Sequence, residues 1–104
     1  MERIEAIIRP ERLNLVKDAL AEAGLVGLNV TQVTGRGIQR GIQVGGPREA
    51  GSYTVDMLLK VKLEMVVREE QTQQAIDIIC EHAVTCNTGD GKIFVSPVSN
   101  YPYL

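Results

Sequence analysis

The sequence predicts an α+β domain of ferredoxin-like type, a βαββαβ order with an antiparallel sheet and two helices on one face. Three observations carry this. Two stretches with helical spacing of apolar residues each sit between stretches of strand character. A long run from Thr54 to Val67 alternates apolar with polar residues. A glycine-rich segment separates that run from the strand before it, so strands two and three are joined by a long connection rather than a helix. The 104 residues suit one domain over 1–104.

Each element follows from its local pattern. Residues 2–9 alternate and then turn apolar before Pro10, a strand meeting a breaker. From Glu11 to Ala23 the apolar Leu13, Val16, Leu20 and Ala23 recur at helical spacing, and Gly24 is placed to end that helix. Asn29 to Val33 is rich in Val and Thr and predicts a second strand. Gly35 to Pro47 holds five glycines and a proline without a sustained period. The segment from Gly37 to Tyr53 is therefore expected to be one long loop, and such a loop in a compact domain is functional or disordered.

In the third strand Val55, Met57, Leu59, Val61, Leu63, Met65 and Val67 share one parity, the mark of a long strand with one buried face. Glu69 and Glu70 suit a helix N-terminus through the macrodipole. Ala75, Ile76, Ile79, Cys80 and Ala83 mark the expected buried face of the second helix. Lys92 to Val95 closes the sheet, Ser96-Pro97 ends the pattern, and a short tail holding Tyr101 and Tyr103 follows. Ile7 and Val66 add apolar groups on the opposite parity, so both sheet faces are expected to be partly covered. In so small a chain this argues for self-association as a closed ring.

Apolar residues make up 44% and charged residues 23%, as in a folded soluble domain. A net charge of −2 gives no electrostatic case for a nucleic-acid partner. No apolar run approaches the roughly 20 residues of a membrane span. The start runs straight into a strand pattern without a visible signal peptide, so a cytoplasmic location is expected. Cys80 and Cys86 match no zinc spacing, and His82 is the only histidine. Cys80 is expected to pack as a small apolar group on the helix, against the alternative of a redox pair with Cys86.

The most informative stretch runs from Thr85 to Val95: Thr-Cys-Asn-Thr-Gly-Asp-Gly-Lys-Ile-Phe-Val. A turn with two glycines and a lysine opens onto an apolar strand. Glycines let N–H groups face a ligand without a Cβ in the way, and Lys92 adds a point charge. Locally this is either a phosphate grip or only a tight Asp-Gly turn. Lys60 by itself reads as a solvated strand charge, with Lys62 on the same face. Asp90 has no histidine or second carboxylate paired with it by motif, so no catalytic centre is expected and the chain is not read as an enzyme.

The same stretch resembles the C-terminal signature of the PII signal-transduction (nitrogen regulatory) family, in which Ser or Thr, three variable residues, Gly-Asp-Gly-Lys and Ile-Phe-Val follow one another. The resemblance extends over essentially the whole chain. Ile4 to Pro10 is similar to the family's opening strand, and Ala19 to Gly24 to the end of its first helix. Val30 to Gly35 and Tyr53 to Asp56 flank a segment resembling its T-loop, about 37–53 here, and Lys60-Val61-Lys62 also matches.

The resemblance implies a homotrimeric, non-catalytic signalling protein. It would bind ATP or ADP between subunits, sense 2-oxoglutarate with Mg²⁺, and dock its T-loop on a target enzyme, regulator or membrane transporter. Carried over by position, the nucleotide site would comprise Ile7, Asn29, Gly35, Gly37, Ile38, Gln39, Val66 and Thr85, with Gly89, Asp90, Gly91 and Lys92 meeting the phosphates from the neighbouring subunit. Gln39, Gly41 and Lys60 would hold 2-oxoglutarate, with Gln39 also a metal ligand. Tyr53 aligns with a tyrosine uridylylated in some members, although Pro47 to Ser52 replaces the usual surroundings.

Other departures set further expectations. Ile38 stands where an arginine is usual, and Asn29 where a small hydroxyl residue is common. Many members continue beyond the position of Leu104 with Ile-Arg-Ile-Arg-Thr-Gly-Glu. Fewer cationic partners imply weaker nucleotide affinity or a preference for fewer phosphates. The alternatives are a ferredoxin-like adaptor trimer without ligand sensing, and a divergent carbon or energy sensor that binds ADP or AMP without 2-oxoglutarate.

Overall fold

Among the described residues, four strands and two helices form in the predicted order. The structure is a computed structural model that describes residues 1–39, 54–87 and 89–101, with 37–39 and 54–56 described through their backbone pairing. The elements are β1 (Glu2–Ile8), α1 (Leu13–Glu22), β2 (Asn29–Gln39), β3 (Thr54–Val67), α2 (Thr72–Ala83) and β4 (Gly91–Pro97). A short 3-10 turn leads into each helix, at Pro10–Arg12 and Glu69–Gln71. The sheet order is β2-β3-β1-β4 with every neighbour antiparallel, which is the ferredoxin-like arrangement.

Alternation decides which side of the sheet meets the helices. Ile4, Ala6 and Ile8 of β1 pair with Met65, Leu63 and Val61 of β3, and all six are buried. Val16 and Leu20 of α1 and Ala75, Ile79 and Ala83 of α2 complete this core. Helix α1 ends at Glu22, just before Gly24, as the sequence predicts. Gly24 takes a φ of +83°, its N–H bonds the Ala21 carbonyl at 3.0 Å, and the Leu25 N–H bonds the Leu20 carbonyl at 2.9 Å. These two bonds form a Schellman cap, and buried Leu25 lies in the same core as Leu20. At the other helix, the Thr72 hydroxyl donates to Glu2 Oε1 at 2.6 Å and ties the start of α2 to the first strand.

The sequence reading needs three corrections. The second strand does not stop at Val33. Its ladder continues through Gly35↔Leu58 and Gly37↔Asp56 to Gln39↔Thr54, so residues 37–39 are strand and not loop. Partner hydrogen bonds from β3 impose extended backbone on a glycine-rich stretch that has little preference of its own. The rest of the expected loop, including Gly41 and Tyr53, lies outside the described residues. Second, Cys80 is exposed, and Ile76 is only half-buried. The stripe of α2 that meets the sheet runs through Ala75, Ile79 and Ala83, with Ile78 rather than Cys80 packed beside it. Third, the strand-three parity holds the core only from Val61 onward: Leu59 is 55% exposed and Val61 4%. The hairpin of β2 and β3 thus extends past the part of the sheet that the helices cover.

The opposite sheet face carries Arg3, Glu5, Ile7, Lys60, Lys62, Glu64, Val66, Lys92 and Phe94. Val66 and Phe94 are exposed, and Ile7 is half-buried. Among the described residues no helix is long and apolar enough to cross a membrane.

Candidate functional site

The turn between α2 and β4 is built from backbone conformations that few residues adopt. Cys86 has a φ of 64°, Gly89 of 89° and Gly91 of 147°. Gly91 pairs with Ile8 at the start of β4, and a Cβ there would collide with the Ile7 carbonyl, whose carbon would be 3.1 Å away. Glycine at 91 is thus required by the close approach of the turn to β1.

Side-chain hydrogen bonds hold the turn in shape. The Asp90 carboxylate accepts the Thr85 N–H at 2.8 Å and the Thr85 hydroxyl, so the two ends of the turn are bonded to each other. Arg9, the residue after β1, donates its Nε–H to Asp90 at 3.0 Å. The Thr85 hydroxyl bond holds the Asp90 carboxyl well below the usual carboxylate range, with the Thr85 N–H and the Arg9 guanidinium adding to it. Arg12 donates to the Val84 carbonyl at 3.3 Å, just before the turn. From the other side, the Lys60 ammonium donates to the Gly89 carbonyl. Partial burial and the nearby Arg9 charge lower the Lys60 pKa.

A cleft of about 490 Å³ opens beside this turn, lined by Ile7, Gly35, Arg36, Leu58, Lys60, Gly89, Gly91 and Lys92. It lies where the β2–β3 hairpin leaves the body of the sheet. Ile7 and Leu58 supply apolar walls, while Lys60, Lys92 and Arg36 supply positive charge. A Cβ at Gly35 would meet nothing within 4 Å, so packing does not demand glycine there and the wall is open. An apolar slot with convergent cations and a glycine turn is chemically suited to an anion carried on a flat apolar group.

Six of the sequence-predicted residues meet here: Ile7, Gly35, Lys60, Gly89, Gly91 and Lys92. Thr85 and Asp90 are adjacent but spend their side chains on each other and on Arg9. Val66 and Asn29 are on the same sheet face but toward its far end, opposite Arg3 and Glu64, whereas Ile7 is opposite Lys62. Gly37 continues the ladder next to Gly35, as do the backbones of Ile38 and Gln39, whose side chains lie outside the described residues. Lys62 is paired with Glu5 at 3.3 Å and does not line the cleft.

The structure adds Leu58, Arg36 and Arg9. Arg36 adjoined the expected loop, Leu58 stood on the non-core parity of the expected third strand, and the ladder Gly35↔Leu58 brings them to the cleft. Arg9 is separated from Asp90 by 81 positions, and no local pattern links them.

The architecture and the cleft define a ferredoxin-like α+β domain with a cationic, glycine-walled recess at the stem of a long β-hairpin. The family model described as "Nitrogen regulatory protein P-II" matches residues 1–102. A nitrogen regulatory protein P-II of Microchaete diplosiphon is 48% identical over 99 residues, covering 94% of this chain and 86% of the relative. One from Synechocystis sp. is 48% identical over 101 residues, with 96% and 88% covered. One from Cereibacter sphaeroides is 45% identical over 98 residues, with 94% and 86% covered. The chain belongs to the nitrogen regulatory protein P-II family. Its members are signalling regulators rather than catalysts, and adenine-nucleotide binding and trimeric assembly are general to the family.

Proposed function

We propose that this chain is a nucleotide-sensing subunit of a cytoplasmic homotrimer that regulates a target protein of nitrogen or carbon metabolism. ATP or ADP would occupy the cleft at the hairpin stem. The observation that carries this reading is the convergence of Lys60, Lys92 and the Gly89–Gly91 turn beside the apolar Ile7 and Leu58. The turn backbone and Lys92 would receive phosphate oxygens, Lys60 and Arg36 would balance the remaining charge, and the apolar wall with open Gly35 would seat the base. Val66 and Asn29 would reach a nucleotide from the neighbouring subunit, since within one chain they stand away from the cleft.

2-Oxoglutarate would bind through Lys60, with Gly41 beside it and Gln39 offering an amide oxygen to a shared Mg²⁺. Such a cation would bridge phosphate and carboxylate charge. Lys60 would join the two events, because it stands on the third strand at the hairpin stem and its ammonium already donates to the Gly89 carbonyl. Ligand charge at Lys60 would thereby reach the connection between β2 and β3, the segment proposed to dock on a target enzyme, regulator or membrane transporter. Tyr53 is the proposed modification site in that segment.

Isothermal titration calorimetry with ATP and ADP, each with and without Mg²⁺ and 2-oxoglutarate, tests the reading. Tight ATP binding that strengthens 2-oxoglutarate binding is the expected result. Binding of ADP or AMP without 2-oxoglutarate would make the chain an energy or carbon sensor instead. No binding would leave an adaptor trimer and reduce the Gly89–Lys92 turn to architecture.

A further inference from the structure

We propose that Arg9 and Thr85 are positioning residues for the anion-binding turn, acting through the Asp90 carboxylate and not on the ligand. The inference rests on the nucleotide reading of the cleft and says how this chain keeps that site in shape. A carboxylate between two glycines of an anion site needs a reason, because its charge opposes that of the ligand. Gly89 and Gly91 line the cleft, and Asp90 between them does not. Its oxygens are taken by the Thr85 N–H at 2.8 Å, the Thr85 hydroxyl and the Arg9 Nε–H at 3.0 Å.

Two consequences follow from that geometry. The negative charge is neutralised on the side away from the cleft. The turn is also closed end to end, since Thr85 opens it and Asp90 closes it, and it is anchored to the segment that follows β1. Arg12 on the Val84 carbonyl at 3.3 Å anchors the approach to the turn from the same segment. The N–H groups of the turn are thus ordered before a ligand arrives, which spares binding the cost of ordering them.

The test uses the full chain with Arg9→Ala, Arg9→Lys, Thr85→Val, Asp90→Asn and the Arg9→Ala/Asp90→Asn pair. Amide hydrogen exchange is measured without ligand, and ADP binding by calorimetry. In Arg9→Ala, exchange over 85–91 is expected to rise about tenfold or more while the Ile4 and Leu63 amides keep their protection. The ADP Kd is expected to rise about tenfold, and Arg9→Lys to recover most of the loss. The paired variant is expected to bind no more weakly than Arg9→Ala, because both changes break one unit.

Additive losses in the paired variant would place Arg9 on the ligand and overturn the proposal. Unchanged exchange in both Arg9→Ala and Thr85→Val would overturn it as well. Should the wild-type chain bind neither ADP nor ATP, the nucleotide reading falls, and the exchange rates alone uphold or overturn the latch.

Discussion

Gly91 lies against the Ile7 carbonyl so closely that a Cβ on it has no place to go. It holds a φ of 147°, and the Ile7 carbonyl carbon would be 3.1 Å from the added atom, with Ile8 Cα at 3.3 Å. Both obstacles are backbone of the central strand β1, which cannot move without disturbing its pairing to β3 and β4. Gly91→Ala is therefore expected to destabilise the fold by about 3 kcal/mol or more, combining a forbidden conformation with a clash. Urea denaturation checks this, and a loss below about 1 kcal/mol would mean that the turn can move off β1.

Lys92 is exposed on the open sheet face, opposite Ile7. Nothing in the core depends on its charge, so Lys92→Ala is expected to leave stability within about 0.5 kcal/mol. ATP affinity is expected to fall about tenfold or more, since a charge-assisted phosphate contact is lost. Unchanged ATP and ADP affinity in this variant would show that the mapped phosphate site is wrong.

The Asp90 carboxyl is held well below its ordinary value of 3.8 by Thr85 first and by Arg9 in addition. An acid whose pKa is depressed on folding stabilises the fold above the ordinary value and stops doing so as pH falls through the folded value. The advantage of the wild type over Asp90→Asn should hence be flat between about pH 8 and 5 and shrink steadily below about pH 4. Urea midpoints of both proteins across that range decide it. A gap that stays constant down to about pH 3 would mean that the bonds to Asp90 do not depend on its charge.

Leu63 is fully buried between the sheet and the helices, and Phe94 is 53% exposed on the open face. Leu63→Ala is expected to cost about 2–5 kcal/mol through the cavity it leaves. Phe94→Ser is expected to behave differently, sparing the subunit fold but shifting the mass seen by analytical ultracentrifugation from trimer toward monomer. That follows from the proposed assembly covering the apolar part of this face. A variant that stays fully trimeric would put the subunit contact elsewhere.

Much of this was legible in the sequence because periodicity records which side of an element is dry. The alternation at Val61, Leu63, Met65 and Val67 and the helical spacing of Val16 and Leu20 report burial directly, and every one of those residues is in the core. Gly24, Gly89 and Gly91 are legible for a similar reason, since a positive φ favours glycine, although Cys86 also takes one, at 64°. The turn motif also carried the family resemblance, which the family model and the curated relatives bear out.

Tertiary structure decided the rest. The second strand runs to Gln39 because β3 lies alongside it, and the partner's hydrogen bonds outweigh a weak local preference. Cys80 adjoins the apolar stripe of α2, but the rotation of that helix against the sheet leaves it outside. The ties of Arg9 to Asp90, and of Lys60 to the Gly89 carbonyl, join groups 81 and 29 positions apart that only the packing of whole elements brings together. By itself the chain determined its element order and most of its core, both of which follow from short-range spacing and backbone conformation. Where the strands end and which groups hold the turn in shape depended on contacts as far apart as 81 positions, which exist only once the sheet has closed.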